Sequence, residues 1–422
     1  MKNRNKNTWQ RTRKLFNDIH LWLGLTSGII VFIICLSGTL YVFNTELTEL
    51  GASHLYKVSI PKGEERKMPD TFLETVTKHT GGNVSSVRIP NDANRTYTYV
   101  VRKEGDKSRF GTSYMVNPYN GELLGSSQDE NAVRDFMGIM FSLHRWLLLD
   151  KVEKPIIDGI ENRKLGSMIS GWATIIFTLG CITGLVIWFP QKVKSWKQGL
   201  KIKVAGNWKR TNHDLHNSLG FYSLILLLIM GLTGPQWSFP WYRTGLQKAL
   251  GTYKPETETT RDGGSKNKQT EYPQKEKEAL IDKVPLLTLK ELIAVADTNL
   301  PYSGDYVISL PKSPDEPIQF SKTKVGFFAS AASDKVSLNA YTGSLISIDI
   351  FAEKPFNERV AGSIKALHIG NVYGTFSKIL YFIACLIATS LPITGTLIWI
   401  NKLKKKRKKS NRKNMEVIIN EK

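Results

Sequence analysis

The 422 residues are enough for two or three domains, and 41% apolar residues is an ordinary share for a folded protein. A net charge of +21 would point to nucleic acid if it were spread over one soluble surface, but +19 of it falls in residues 1–18, 190–216 and 401–422. That concentration excludes a nucleic-acid surface, and the basic segments flank four apolar runs, each about the ~20 residues that cross a hydrocarbon core as helix.

In chain order the sequence divides into a basic tail 1–18, a first transmembrane helix 19–44, a long segment 45–166 and a second helix 167–189. A basic loop 190–216, a third helix 217–239, a long segment 240–374, a fourth helix 375–400 and a basic tail 401–422 follow. All three basic segments fall on one side of the four spans, so the positive-inside rule predicts cytoplasmic termini and two extracytoplasmic segments. The first run is too long for a signal-peptide core and lacks a small-residue cleavage site, so it is expected to remain as an anchor. Cys35, Cys181 and Cys385 each fall inside an apolar run, which leaves no external disulfide framework and no CxxC pair.

The first helix opens on Asn17, Asp18 and His20, with Gly24 and Gly28 following His20 on one face. A small-residue face lets membrane helices pack closely, and it would equally admit a flat cofactor. The same opening returns 196 residues later: His20 falls on His216, Leu23 and Gly24 on Leu219 and Gly220, Ser37 and Gly38 on Thr233 and Gly234, and Phe43 on Phe239. A match sustained at one offset is the mark of internal duplication. Asp18 and Asp214 are expected as helix N-caps, and His213, standing where the first copy has Asn17, breaks the symmetry.

Within 45–143 a helical stretch near Asp70 to His79 precedes β-patterned pieces at 84–89, 96–101 and 114–116, and Asn117 to Gly121 forms a turn before another strand. The second segment repeats this turn at Asn339 to Gly343, so each segment reads as a small α+β domain. Lys254 to Glu278 is polar, charged and rich in turn formers, and is expected as a loop. After each turn comes a partly apolar segment with one histidine, His144 in 136–149 and His368 in 364–370. The second and fourth spans then match through Thr183, Gly184 and Trp188 with Thr394, Gly395 and Trp399. The expected fold is four transmembrane helices in two parallel repeats, each with an extracytoplasmic α+β domain, related by a pseudo-twofold axis along the membrane normal.

This order of a His-led helix, an outer domain with an Asn-x-x-x-Gly turn, a Leu-His segment and a Thr-Gly-x-x-Ile-Trp helix resembles the PepSY-associated transmembrane family. The resemblance covers nearly all of the chain outside its tails. It implies PepSY-like outer domains, placement in the cell inner membrane, and kinship with iron-regulated inner-membrane proteins and haem-containing ferric-siderophore reductases.

The residues carry their own reason to expect haem. Two imidazoles opposed across an axis ligate an iron porphyrin from both faces, and the pattern brings His20 towards His216 and His144 towards His368. Two haems b are the expected cofactors, with His20, His216, His144 and His368 as iron ligands. The bland alternative makes His20 and His216 interfacial polar residues. His213, Arg145 and Lys365 form a second tier, the last two as partners for propionates or simply solvated cations. His54 and His79 read as surface residues. No HExxH, GxSxG, P-loop or dinucleotide-binding glycine pattern occurs, so electrons would come from a separate cytoplasmic or membrane donor. The expected function is electron transfer to a ferric siderophore or another ferric complex outside. The rival is a non-catalytic membrane protein whose outer domains bind or regulate a periplasmic partner such as a protease.

Overall fold

The structure is a computed structural model of the full chain, and it describes residues 2–103, 105, 111–189, 196–255, 286–311, 313 and 316–420. The elements used below are the helices α1 (Lys2–Tyr41), α2 (Leu73–Thr80), α3 (Ala132–Trp146), α4 (Asn162–Trp188), α5 (Trp208–Thr233), α6 (Pro240–Ala249), α7 (Leu289–Asn299), α8 (Ile364–Ile369) and α9 (Gly374–Asn420). The strands are β1 (Asn83–Ile89), β2 (Tyr97–Arg102), β3 (Thr112–Val116), β4 (Leu123–Ser126), β5 (Gly304–Ser309), β6 (Ile318–Lys324), β7 (Ser333–Leu338) and β8 (Leu345–Asp349).

Four helical stretches, Thr8–Tyr41, Asn162–Trp188, Trp208–Trp237 and Gly374–Lys405, are long and apolar enough to cross a bilayer. They belong to α1, α4, α5 with the short 3-10 turn Gly234–Trp237, and α9. Each packs on two neighbours: α1 and α5 both lie against α4 and α9, so α1 faces α5 across the middle of a four-helix ring. Asn212 ties α5 to α9 by donating its Nδ2 to the Thr394 carbonyl at 3.0 Å. The chain is thus a membrane protein with one bundle end joined to a sheet and the other bearing the basic segments.

The helices run further than the apolar periodicity implies. α1 begins at Lys2 and α5 at Trp208, so Asp18 and Asp214 are interior residues and do not cap these helices. Asn207 caps α5, its side chain accepting from the Lys209 N–H. Asp214 is buried and instead accepts from Arg210 Nε at 2.9 Å one turn earlier. Polar residues with fair helix propensity extend each apolar core by several turns into the basic side.

The eight strands form one antiparallel sheet in the order β4-β3-β2-β1-β5-β6-β7-β8. Two four-stranded halves, each with its own helix, meet edge to edge where Val87 lies opposite Ile308 and Arg88 opposite Val307. This junction closes the strand edge that each half would otherwise expose. Alternation sets the buried face: Tyr97, Tyr99 and Val101 of β2 point inward, as do Ile318 and Phe320 of β6. One core gathers Val76 of α2 with Val87, Tyr99 and Val116, and the other gathers Leu292 and Ala296 of α7 with Ile308, Phe320 and Val336. Ile89 and Leu310 touch both. The Thr288 hydroxyl accepts from the Glu291 N–H while Glu291 reaches back to the Thr288 N–H, a capping box that starts α7. Of the polar stretch Lys254 to Glu278, residues 256–278 lie outside the described residues.

Candidate functional site

The bundle brings His20 of α1 against His216 of α5, with ring centres 6.2 Å apart and planes crossed at 75°. Nearer the sheet, His144 of α3 meets His368 of α8 at the same 6.2 Å, crossed at 63°. An imidazole nitrogen lies about 2 Å from a first-row metal and about 1 Å from its own ring centre, so two rings ligating one ion from opposite sides have centres about 6 Å apart. Both pairs have that spacing.

Each histidine rests on a glycine of the neighbouring element. A Cβ at Gly184 would stand 3.2 Å from His20 Cε1, at Gly395 3.2 Å from His216 Cε1, at Gly38 3.1 Å from His144 Cε1, and at Gly234 3.3 Å from His368 Cε1. A methyl group at any of these glycines would crowd the ring, which would have to give by a few tenths of an ångström. Before each glycine stands a Thr or Ser, and three of these hydroxyls meet the ring: Thr183 Oγ1 lies 3.1 Å from His20 Nδ1, Thr394 Oγ1 2.9 Å from His216 Nδ1, and Thr233 Oγ1 3.0 Å from His368 Nδ1. In the fourth seat Ser37 donates to Ile33 O, and His144 Nδ1 meets the Ile34 carbonyl at 2.9 Å.

These contacts fix the tautomer. A carbonyl only accepts, so Nδ1 carries the proton in His144, and also in His20, which lies 3.0 Å from Gly180 O. Thr394 and Thr233 already donate their hydroxyl protons to Ser390 O and Ile229 O, leaving oxygen lone pairs for His216 and His368. All four rings are therefore Nδ1–H donors, and no Nε2 among them makes a hydrogen bond to any described residue. None of the four Nε2 atoms is sealed off as a buried polar atom without a partner, and oriented Nδ1–H donors are the usual support of metal-ligating histidines.

The pair at the basic end opens on a cavity of about 360 Å³, within the range of about 300–1,000 Å³ typical of ligand pockets. His20, Gly24, Gly28, His216 and Gly220 line it, and a Cβ built at Gly24 meets nothing within 4 Å. A flat apolar group with an iron centre fits this donor set: two imidazole nitrogens, glycine walls, and Lys402 with His213 at the mouth for carboxylates. Among the described residues no group of three or more His, Cys, Asp and Glu is placed to hold a bare metal ion.

At the sheet end the histidines sit on short helices with abrupt ends. α3 closes at Leu147 and Leu148, both in the left-handed region at φ 55 and 62, a conformation that costs a branched residue about 1–2 kcal/mol. It is pressed onto Gly166 of α4, where a Cβ would lie 2.1 Å from the Trp146 carbonyl oxygen, so no other residue fits there. α8 ends at Gly370 with φ 78. The indole of Trp237 lies edge-on to His368 at 5.0 Å.

Of the second tier, Arg145 lies at the sheet-end pair, donating Nη2 to the Trp237 carbonyl at 3.4 Å. Burial, then the neighbouring Arg163 and Arg243, hold its guanidinium below the usual arginine range. Lys365 is exposed on α8. His213 is exposed at the basic end, 3.5 Å from Asp214 Oδ1, and does not enter the His20–His216 pair. The hydroxyl-glycine seats beneath the four histidines are the feature of the candidate site that sequence reasoning missed. Four Ser/Thr-Gly pairs, each in an apolar helix, were the available signal.

A family model described as the PepSY-associated TM region matches residues 18–402. No curated protein matches the chain.

Proposed function

The chain belongs to the PepSY-associated transmembrane family, and from that premise we propose that it is an inner-membrane electron-transfer protein that holds two haems b and reduces a ferric siderophore or another ferric complex. The observation that supports this most is the repeated ligand geometry: two imidazole pairs at 6.2 Å, with every Nδ1 hydrogen-bonded and every Nε2 bare. His20 and His216 would hold one haem and His144 and His368 the other. Haem with both axial positions taken by histidine supplies a one-electron iron couple suited to electron transfer.

The chain's own groups support that task. The hydroxyl and carbonyl acceptors keep each Nε2 aimed and raise its basicity. Apolar bundle walls exclude water, and Arg145 and Lys365 at one end, with Lys402 and His213 at the other, offer positive charge to carboxylates. In this reading the two halves are parallel repeats about an axis along the membrane normal, with basic segments in the cytoplasm and the sheet in the periplasm. The donor is then cytoplasmic or within the membrane, and the acceptor arrives from the side of the sheet. A reporter inserted within residues 256–278 should signal outside the cytoplasm; a cytoplasmic signal would reverse the direction of transfer.

Protein purified in mild detergent should be red, with a pyridine haemochrome near two haems per chain, about one for each histidine pair. Colourless protein from haem-replete cells would transfer the assignment to a non-catalytic membrane protein whose sheet binds a periplasmic partner. Anaerobic mixing of the reduced protein with ferric siderophores tests the acceptor separately.

A further inference from the structure

Three guanidinium groups gather at the sheet end of the bundle beside the His144–His368 pair. Arg145 follows His144 in α3 and donates to the carbonyl of Trp237, whose indole touches His368. Arg243 of α6 donates Nε to the carbonyl of Gln236 at 3.3 Å, one residue before the carbonyl that receives Arg145. Arg163, in the first turn of α4, stands 4.1 Å over the Trp146 ring, which Arg145 also borders at 6.0 Å. Two adjacent carbonyls and one indole thus fix three cations in one neighbourhood.

None of the three forms an ion pair among the described residues, whose pairs all involve other cations. Arg163 and Arg243 are exposed, and Arg145 is half-buried behind them. The gathering also runs against the charge plan of the chain, which leaves only +2 outside its three basic segments. Like charges held together at one place disfavour the fold unless an anion joins them. Guanidinium forks match carboxylates and raise the local concentration of anionic ligands.

We propose that Arg145, Arg163 and Arg243 form a carboxylate-binding site that receives a polyanionic ferric chelate at the sheet-end histidine pair. The proposal rests on the ferric-reductase reading above and adds a substrate class to it: ferric polycarboxylates are preferred over neutral hydroxamate complexes. Arg163 and Arg243 make first contact, and Arg145 leads from them to the histidines.

Iron-free citrate is the probe, titrated calorimetrically into the full-length protein as purified. Arg163→Gln and Arg243→Gln should each weaken citrate binding roughly tenfold, the size expected for one charge-assisted contact, and Arg163→Lys and Arg243→Lys should recover part of it. Affinity should also fall with added salt, because the outer two groups are exposed. Lys248→Gln, an exposed cation on α6 outside the cluster, is the control. The idea is overturned if wild-type protein takes up no citrate at millimolar concentration, or if both Gln variants bind it within twofold of wild type. It is also overturned if the variants keep citrate affinity and lose one of the two haems by pyridine haemochrome, since the carboxylates served are then those of the porphyrin. Reduced protein that no ferric chelate reoxidises would defeat the reductase reading while the citrate isotherm still decided the anion site.

Discussion

At the basic end of the bundle both histidines project from helices that run its full length, whereas at the sheet end both sit on short helices that follow the last strand of each half. His20 and His216 are placed by the packing of α1 on α4 and α9 and of α5 on α9, the three most extensive contacts in the molecule. His144 and His368 follow β4 and β8, and their helices lie against the bundle, α3 on α1 and α4 and α8 on α5, with the rings docked on Gly38 and Gly234. The spacing is the same and the support differs. One pair should therefore be as rigid as the bundle, and the other should report on the sheet.

The largest expected effect breaks the pairs one at a time. His20→Ala and His216→Ala should remove the same haem, and His144→Ala and His368→Ala the other, each taking the content from about two per chain to about one. Pyridine haemochrome counts the loss, and the spectrum of the remaining haem identifies it. A variant pair that removes different haems would show that the ring contacts are not the ligand sets.

A smaller effect should separate the two ends. Ile308 is fully buried at the seam between the two halves of the sheet, opposite Val87. Ile308→Ala removes core volume and should cost about 2–5 kcal/mol in the sheet. In a denaturant series followed by haem absorbance, the sheet-end haem should then be released well before the basic-end one. Simultaneous release of both would mean that sheet and bundle unfold as one unit.

The bundle was far more legible in the sequence than the sheet. The match at an offset of 196 and the apolar runs placed all four long helices, because a 20-residue apolar stretch has no other stable state in a membrane. The strand alternation around Tyr99 was visible too. The fusion of two domains into one sheet was not, since β1 and β5 pair across more than 200 residues and no local pattern encodes which edge meets which. Asp18 and Asp214 misled for a related reason: a carboxylate at the border of an apolar run looks like a cap, but polar residues such as Lys209 and Thr211 continue the helix outward. The seats under the histidines stayed hidden because Thr-Gly in a membrane helix is more often read as packing.

Those seats offer the next test. Ala at Gly38 or Gly184 would put a methyl 3.1 or 3.2 Å from the ring, tighter than a normal contact, so the ring must tilt or retreat by a few tenths of an ångström. We expect a cost of about 1–3 kcal/mol in haem retention at the substituted end only, read as a shifted reduced band and faster haem loss to an apo-globin acceptor. Gly38→Ala should be the milder change if α3, a short helix, yields more easily than α1.

The finest distinction lies within the hydroxyl set. His20, His216 and His368 each meet a threonine hydroxyl and a backbone carbonyl one turn before the seat glycine, at Gly180, Leu391 and Met230, whereas His144 meets the Ile34 carbonyl alone. Replacing Thr by Val keeps the shape and deletes the acceptor. Thr183→Val, Thr394→Val and Thr233→Val each leave a backbone carbonyl in place, so each should lower haem affinity by less than about tenfold, with a matching shift in midpoint potential at one end. Ser37→Ala, whose hydroxyl turns to Ile33 instead of the ring, should give no shift at all. Potentiometric titration of the four variants decides it. A shift in Ser37→Ala as large as that in Thr394→Val would mean that the hydroxyls act by packing, and that the Nδ1 proton is held by the backbone carbonyl at every seat.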